Sequence, residues 1–266
     1  MVAEEQKREL LEFAVQMARR VGAIHLEWFR RSDLEIGTKS NEFDVVTRAD
    51  RESEACIARM VAERYPSHAL LGEEGGRRGD ATSDWLWVVD PLDGTTNYSQ
   101  GLPVFAVSIG LRFRGEPVVG VVYAPWLDEL FTAVRGGGAF RSCRGGMPQP
   151  IRVGGGKERL GEAVVATGFP YDKDRDPDNN TDNVVRILPH VRGLRRFGAA
   201  AYDLCSVAAG TMDGYWELAL HEWDVCAGEL IVQEAGGVVQ ALRQDRGVSI
   251  VAGNAAIVAA IREYVR

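Results

Sequence analysis

The stretch W-L-W-V-V-D-P-L-D-G-T-T-N-Y, Trp85 to Tyr98, constrains this chain more than any other. It opens as a run of five apolar residues, Trp85–Val89, the pattern of a strand covered on both faces. Asp90 ends the run, and Pro91 has no N–H to give to a ladder, which predicts that the strand stops there. Asp93 follows, three residues after Asp90. Two carboxylates at that spacing across a Pro-containing turn can converge on one point, where their charges repel unless a cation lies between them. Gly94 lets a ligand approach the backbone. A helix beginning at Thr95–Thr96 would turn free N–H groups and the positive end of its dipole toward an anion. Ligands for a hard metal thus lie beside amides for a phosphate. The same residues also suit an ordinary turn, with Thr95 or Thr96 as a simple N-cap.

The bulk properties narrow the classes. A chain of 266 residues is one domain or two intimately joined halves, with ample length for a core. Its 45% hydrophobic and 26% charged residues are those of a soluble globular protein. A net charge of −7 argues against nucleic-acid and anionic-membrane partners. An acidic protein that takes a phosphate substrate needs local compensation, which a divalent metal provides. Neither a signal peptide nor an 18-residue apolar span is visible, so the expected location is cytoplasmic. Cys56, Cys143, Cys205 and Cys226 are scattered without C-x-x-C or Cys/His ligand spacing and read as reduced, mostly buried residues.

Along the chain, apolar positions from Leu10 to Phe29 predict a long amphipathic helix over residues 3–30, with His25 packed near that face. Thr47 and Asp50 have the spacing of a capping box opening a second helix that stops at Pro66. Asp50 therefore has a structural explanation, and beside it a functional one, a carboxylate able to hold a water with Thr95. A short strand, Ala69–Leu71, runs into G-E-E-G-G, where a glutamate can either be solvated or turn inward toward metal. Val104–Phe113 and Pro117–Tyr123 predict a hairpin, and Leu130–Val134 another strand. The Pro148–Pro150 and Gly154–Gly156 region marks the join between halves, about 1–147 and 148–266, of a single domain. The second half alternates strands and helices. Its polar loop after Thr167 is expected to be a solvated surface loop rather than a lid, and Asp224 stands at a helix start, as N-cap or as a further carboxylate of a metal cluster.

Four motifs in order resemble the inositol monophosphatase family of magnesium-dependent, lithium-sensitive phosphomonoesterases. They are K-x(4)-D-x-V-T-x-x-D (Lys39–Asp50), G-E-E (Gly72–Glu74), W-V-V-D-P-L-D-G-T-T-N-Y and W-D-V-C-A-G-E-L-I-V-Q-E-A-G-G (Trp223–Gly237). The resemblance implies that Glu73, Asp90, the Leu92 carbonyl, Asp93 and Asp224 hold two or three Mg²⁺ ions, with Mn²⁺ as a substitute and Li⁺ or Ca²⁺ as inhibitors. It implies that Asp50 and Thr95, with Glu73, serve catalysis by orienting and deprotonating the attacking water. Gly94, Thr95 and Thr96 would receive the phosphate. Asp93, Gly198, Ala199, Ala200, Glu217 and Asp224 would meet the substrate. That family often carries a hydroxyl residue where this chain has Ala199, which bears on substrate identity. A homodimer is also implied by the resemblance.

The expected fold is α/β (α+β), a layered αβαβα sandwich of the sugar-phosphatase type, with an antiparallel-rich first half and an α/β second half. The expected reaction is Mg²⁺-dependent hydrolysis of a small phosphate monoester, myo-inositol 1-phosphate foremost. Histidinol phosphate, fructose 1,6-bisphosphate and a nucleotide 3′-phosphate are alternatives with the same chemistry. An all-oxygen ligand set suits Mg²⁺, and two such ions can both activate water and neutralise a leaving oxygen. No Ser-His-Asp set, aspartyl-phosphate motif or P-loop is present to support a covalent or nucleotide-hydrolysing route. From another class, a regulatory binding protein on the same fold remains as a rival.

Overall fold

The structure, a computed structural model, describes residues 2–266. The chain opens with helices α1 (Glu4–Trp28) and α2 (Arg48–Arg64), separated by a ribbon of β1 (Gly37–Thr38) and β2 (Val45–Val46). The first large sheet is built from β3 (Ala69–Gly72), β4 (Gly76–Arg78), β5 (Trp85–Asp93), β6 (Ala106–Phe113), β7 (Glu116–Ala124), β8 (Glu129–Val134), β9 (Gly138–Cys143) and β10 (Gln149–Pro150). A short helix, α3 (Thr95–Ser99), lies between β5 and β6. The second half contributes β11 (Val164–Thr167), α4 (Thr181–Ile187), β12 (Gly193–Arg195), α5 (Ala200–Ala208) and β13 (Gly214–Leu220). It closes with α6 (Glu222–Glu234), β14 (Val238–Arg243), β15 (Val248–Gly253) and α7 (Ala255–Arg262).

The first sheet runs in the order β10-β9-β8-β7-β6-β5-β3-β4 and is antiparallel except where β3 lies parallel to β5. The second, in the order β12-β11-β13-β15-β14, pairs its first three strands parallel and adds β15 and β14 antiparallel. Three apolar clusters stack these sheets between helices. Leu10, Met17 and Val21 of α1 and Ile57 of α2 cover one face of the first sheet at Trp87, Ile109 and Val119. Leu204 of α5 and Leu230 and Ile231 of α6 fill the space between the sheets, against Val122 and Phe131 on one side and Tyr215 and Ala252 on the other. Ile257 and Ile261 of α7, with Ile187 of α4, cover Trp216 and Val251 on the outer face of the second sheet. The result is the five-layered αβαβα sandwich.

Two glycines set how closely α6 approaches the first sheet. A Cβ on Gly110 would lie 2.5 Å from Cys226 Sγ, and one on Gly120 would lie 2.8 Å from the Ala227 carbonyl oxygen. Helix backbone thus lies almost directly on strand backbone, which brings the start of α6 to the end of β5.

Several elements depart from expectation. β5 does not stop before Pro91 but runs on to Asp93. The pairing with β6 changes register between Asp90 and Asp93, so the missing N–H falls inside a bulge and breaks no regular ladder bond. β13 also passes through a bulge, between Glu217 and Leu220, in which Ala219 takes a left-handed φ of 56°. The edge strand β4, all of it exposed, has no apolar pattern to mark it, and β9 follows a glycine cluster with little more to mark it. All four cysteines are unpaired. No helix among the described residues is long and apolar enough to cross a membrane.

Candidate active site

A cavity of about 210 Å³ opens where the carboxyl end of β5 meets α3, the start of α5, the end of β13 and the start of α6. Glu73, Asp90, Leu92, Asp93, Gly94, Thr95, Thr96, Gly198, Ala199, Ala200, Glu217 and Asp224 all line it, although residues 73 and 224 are far apart in the chain. Of the anticipated site residues only Asp50 is absent from the wall. It lies just behind, fully buried on α2, and reaches the cavity through Thr95.

The β5–α3 corner is built by local hydrogen bonding. The Leu92 N–H donates to Asp90 Oδ1 at 2.9 Å, an Asx turn that turns the chain out of the ladder. Gly94, with φ of 88° and ψ of 36°, is the N-cap of α3, a conformation that suits glycine. Neither threonine caps the helix, contrary to the turn reading; Thr95 is its first residue. Its hydroxyl lies 2.9 Å from both Asp50 Oδ1 and the Leu92 carbonyl. Asn97 then donates to the carbonyls of Val104 (2.8 Å) and Phe197 (2.6 Å), fastening α3 to the segment that enters α5.

Asp50 caps its helix and also contacts Thr95. Its Oδ2 accepts from the Thr47 N–H at 2.8 Å and the Thr47 hydroxyl at 2.6 Å in the capping box of α2, while Oδ1 faces Thr95. Asp224 is corrected in detail: the N-cap of α6 is His221, and Asp224 completes a second capping box by accepting the His221 N–H at 2.7 Å. Asp93 accepts the Tyr202 N–H at the start of α5 at 3.2 Å. Glu217 accepts from the Tyr215 hydroxyl at 2.5 Å and fills the space that a side chain on Gly168 would need.

Burial of so many acids in one place disfavours their charged forms. Asp50 is pushed up to about 7, first by desolvation, against hydrogen bonds from Thr47 and Thr95 that favour the anion. Asp93 is also raised to about 7 by burial, with the amides of Tyr202, Ala200 and Ala201 pulling the other way. Burial lifts Glu217 to about 7. Asp90 and Asp224 stand well above the usual carboxylate range, first through desolvation and then through the charges of Glu73 and Asp93.

The donor set fits a hard divalent cation: four carboxylates and a carbonyl, all oxygen, with no thiol or imidazole among them. Among the described residues no three His, Cys, Asp or Glu side chains close around a single point as a finished metal cage. The cation at this acidic edge is the ammonium of Lys39, 2.7 Å from Glu73 and 2.5 Å from Glu74. The need for positive charge among these acids is therefore visible in the fold.

Further residues complete the cavity wall. Lys39 stands in the quoted motif, yet only the fold brings it to Glu73. Arg196, His221 and Trp223 line the wall, the last two stacked at 4.6 Å between ring centres. The loop after β11 is no mere solvated surface. Its Phe169, Pro170 and Tyr171 form cavity wall, and the Tyr171 carbonyl accepts from Asn41 Nδ2 at 3.2 Å. Beyond them Asp172 and Asp176 pair with Arg246, and Asp178 with Arg243, so the loop is tethered to the β14–β15 hairpin. No periodicity in sequence marks any of these.

The sequence model of the inositol monophosphatase family matches residues 6–265. The chain belongs to that family. Among similar curated proteins is an "Inositol-1-monophosphatase" of Synechocystis, 44% identical over 78% of this chain and 70% of its own length. Another is a "Nus factor SuhB" of Pasteurella multocida, 43% identical over 86% of this chain and 84% of its own. Among solved structures, the inositol monophosphatase from Anabaena superposes with a TM-score of 0.84 at 37% identity, over 97% of this chain and 95% of that one.

Proposed function

We propose that this chain hydrolyses a small phosphate monoester, myo-inositol 1-phosphate foremost, by attack of water in the presence of Mg²⁺. The observation that carries the reading is the hydrogen-bonded Asp50–Thr95 pair set behind a cavity wall of acidic oxygen donors. Glu73, Asp90, the Leu92 carbonyl, Asp93 and Asp224 would hold the metal. When bound, Mg²⁺ would neutralise phosphate charge and acidify the attacking water.

The remaining roles belong to the chain's own groups. The first amides of a helix lack intrahelical partners, so the Gly94–Thr96 turn offers N–H donors to phosphate oxygens. With its proton given to Asp50, the Thr95 hydroxyl keeps lone pairs with which to orient a water and receive its proton. Asp50, held near 7, can accept a proton close to neutral pH, where a general base is most effective. Glu217, clamped by Tyr215, would accept from hydroxyls of the departing alcohol. Electrostatic preorganisation of this kind is usually the largest catalytic term.

The test is phosphate release from myo-inositol 1-phosphate, with and without Mg²⁺, beside histidinol phosphate, fructose 1,6-bisphosphate and adenosine 3′,5′-bisphosphate. Mg²⁺-dependent turnover of one of them supports the reading and names its substrate. No turnover of any by folded, Mg²⁺-supplied protein would sink it. The name "Nus factor SuhB" on close relatives favours a second reading, in which the chain acts through a macromolecular partner. A partner retained by an Asp93→Asn variant that has lost metal would support that role.

A further inference from the structure

Glu54 is a charged residue only 2% exposed, on the inner face of α2 one turn beyond Asp50. Both of its oxygens are taken by donors. Oε2 accepts the Glu74 N–H at 2.6 Å, and Oε1 accepts from Arg78 Nη2 at 3.0 Å. Its carboxylate fills the hollow of the β3–β4 turn, and that hollow exists because two turn residues lack side chains. A Cβ on Gly72 would lie 2.5 Å from Glu54 Oε2, and one on Gly75 would overlap Oε1 and the Arg78 guanidinium. Glu73 sits between these contacts, its carboxylate on the cavity wall and its charge one of those that raise Asp90. Asp50 meanwhile holds Thr95 from the same helix face.

We propose that Glu54 is a positioning residue that sets Glu73 against Asp90 and so fixes the affinity of the site for a divalent cation. Because its oxygens are occupied by N–H donors, it acts through the Glu73 loop and does not itself ligate. One turn of α2 would then register two separate parts of the site, the Thr95 hydroxyl through Asp50 and the Glu73 carboxylate through Glu54. This rests on the metal-dependent reading given above. Residues that orient a metal ligand typically cost 10–100-fold in affinity when removed.

The experiment is a calorimetric Mg²⁺ titration of wild type, Glu54→Ala, Glu54→Gln and Gly75→Ala, with phosphate release followed against Mg²⁺ concentration. Glu54→Ala is expected to weaken Mg²⁺ binding about 10- to 100-fold and to raise the Mg²⁺ needed for half-maximal turnover in step, with kcat at saturating Mg²⁺ little changed. Glu54→Gln keeps an oxygen for the Glu74 N–H and is expected to recover most of the affinity. Gly75→Ala, which displaces the carboxylate without removing it, should weaken binding in the same way and covers the case in which Glu54→Ala fails to fold. Wild-type affinity in folded variants, or a lowered melting temperature with unchanged affinity, would overturn the assignment. If wild type itself binds no Mg²⁺, the metal reading of the whole site falls first, and this inference with it.

Discussion

Asp50 accepts from Thr47 through one oxygen and from Thr95 through the other, so a single side chain both caps α2 and holds the hydroxyl at the cavity wall. Asparagine can keep an oxygen toward Thr47 but would turn an amide toward Thr95, separating the two roles. Asp50→Asn is expected to lower kcat about 10²–10⁴-fold, the range for a positioned proton acceptor, with a small change in melting temperature. Unchanged kcat with a lowered melting temperature would leave Asp50 as a cap alone. Asp90 presents the opposite balance. Its ionised form is disfavoured by burial and by its acidic neighbours, while its Oδ1 contact to the Leu92 N–H can be kept by asparagine. Metal-free Asp90→Asn is therefore expected to melt no lower than wild type while losing turnover and its response to Mg²⁺, an instance of stability given up for function. Asp93→Asn should likewise lose turnover. Wild-type activity in either folded variant would remove that residue from the metal set.

Between elements, the deciding feature is how closely α6 lies on β6 and β7. A Cβ at Gly120 meets helix backbone, which cannot rotate aside as a flexible side chain would. Gly120→Ala is expected to cost about 1–3 kcal/mol, the usual range for overpacking a tight core. Because α6 begins with the capping box that orients Asp224, the same change should weaken Mg²⁺ binding although Gly120 lines no part of the cavity. Chemical denaturation and a Mg²⁺ titration on one preparation read both effects. Destabilisation with unaltered affinity would mean that α6 adjusts locally and keeps Asp224 in place.

For the whole molecule, the buried acids couple stability to pH and to metal. Asp50, Asp93 and Glu217 have folded pKa values near 7, raised above those of the unfolded chain. Between about pH 4 and 7 the folded state thus binds more protons, so the stability these groups contribute is present at low pH and lost as pH rises through 7. His25 and His68, lowered to about 4 mainly by burial, work against this trend, losing stability as pH falls below about 6.5. A cation bound among the carboxylates replaces the protons, so metal and proton compete. The rise in melting temperature produced by a fixed Mg²⁺ concentration should therefore be larger at pH 8 than at pH 5.5. An equal rise at both would separate the raised acids from the metal site.

The sequence by itself carried whatever depends on neighbours in the chain. Asp90, Asp93, Gly94 and Thr95 fall within six residues, so their turn, its carboxylates and the short helix after it were readable from local rules. The Thr47–Asp50 capping box was readable for the same reason, and the antiparallel and alternating halves followed from apolar runs and their turns. Pro91 defeated the local rule because a strand can pass a proline at a bulge, and the bulge is made by pairing with β6. No local pattern tells what Glu54, Lys39 and Tyr171 will meet. Each matters through a partner 20 or more positions away, Glu54 at the Glu74 amide, Lys39 at Glu73, Tyr171 at Asn41. Only tertiary packing brings those partners together: α2 beside the β3–β4 turn, the β1–β2 ribbon against the same turn, and the second half against the first. Side-chain period records which face of an element is buried; it holds no record of what that face will meet.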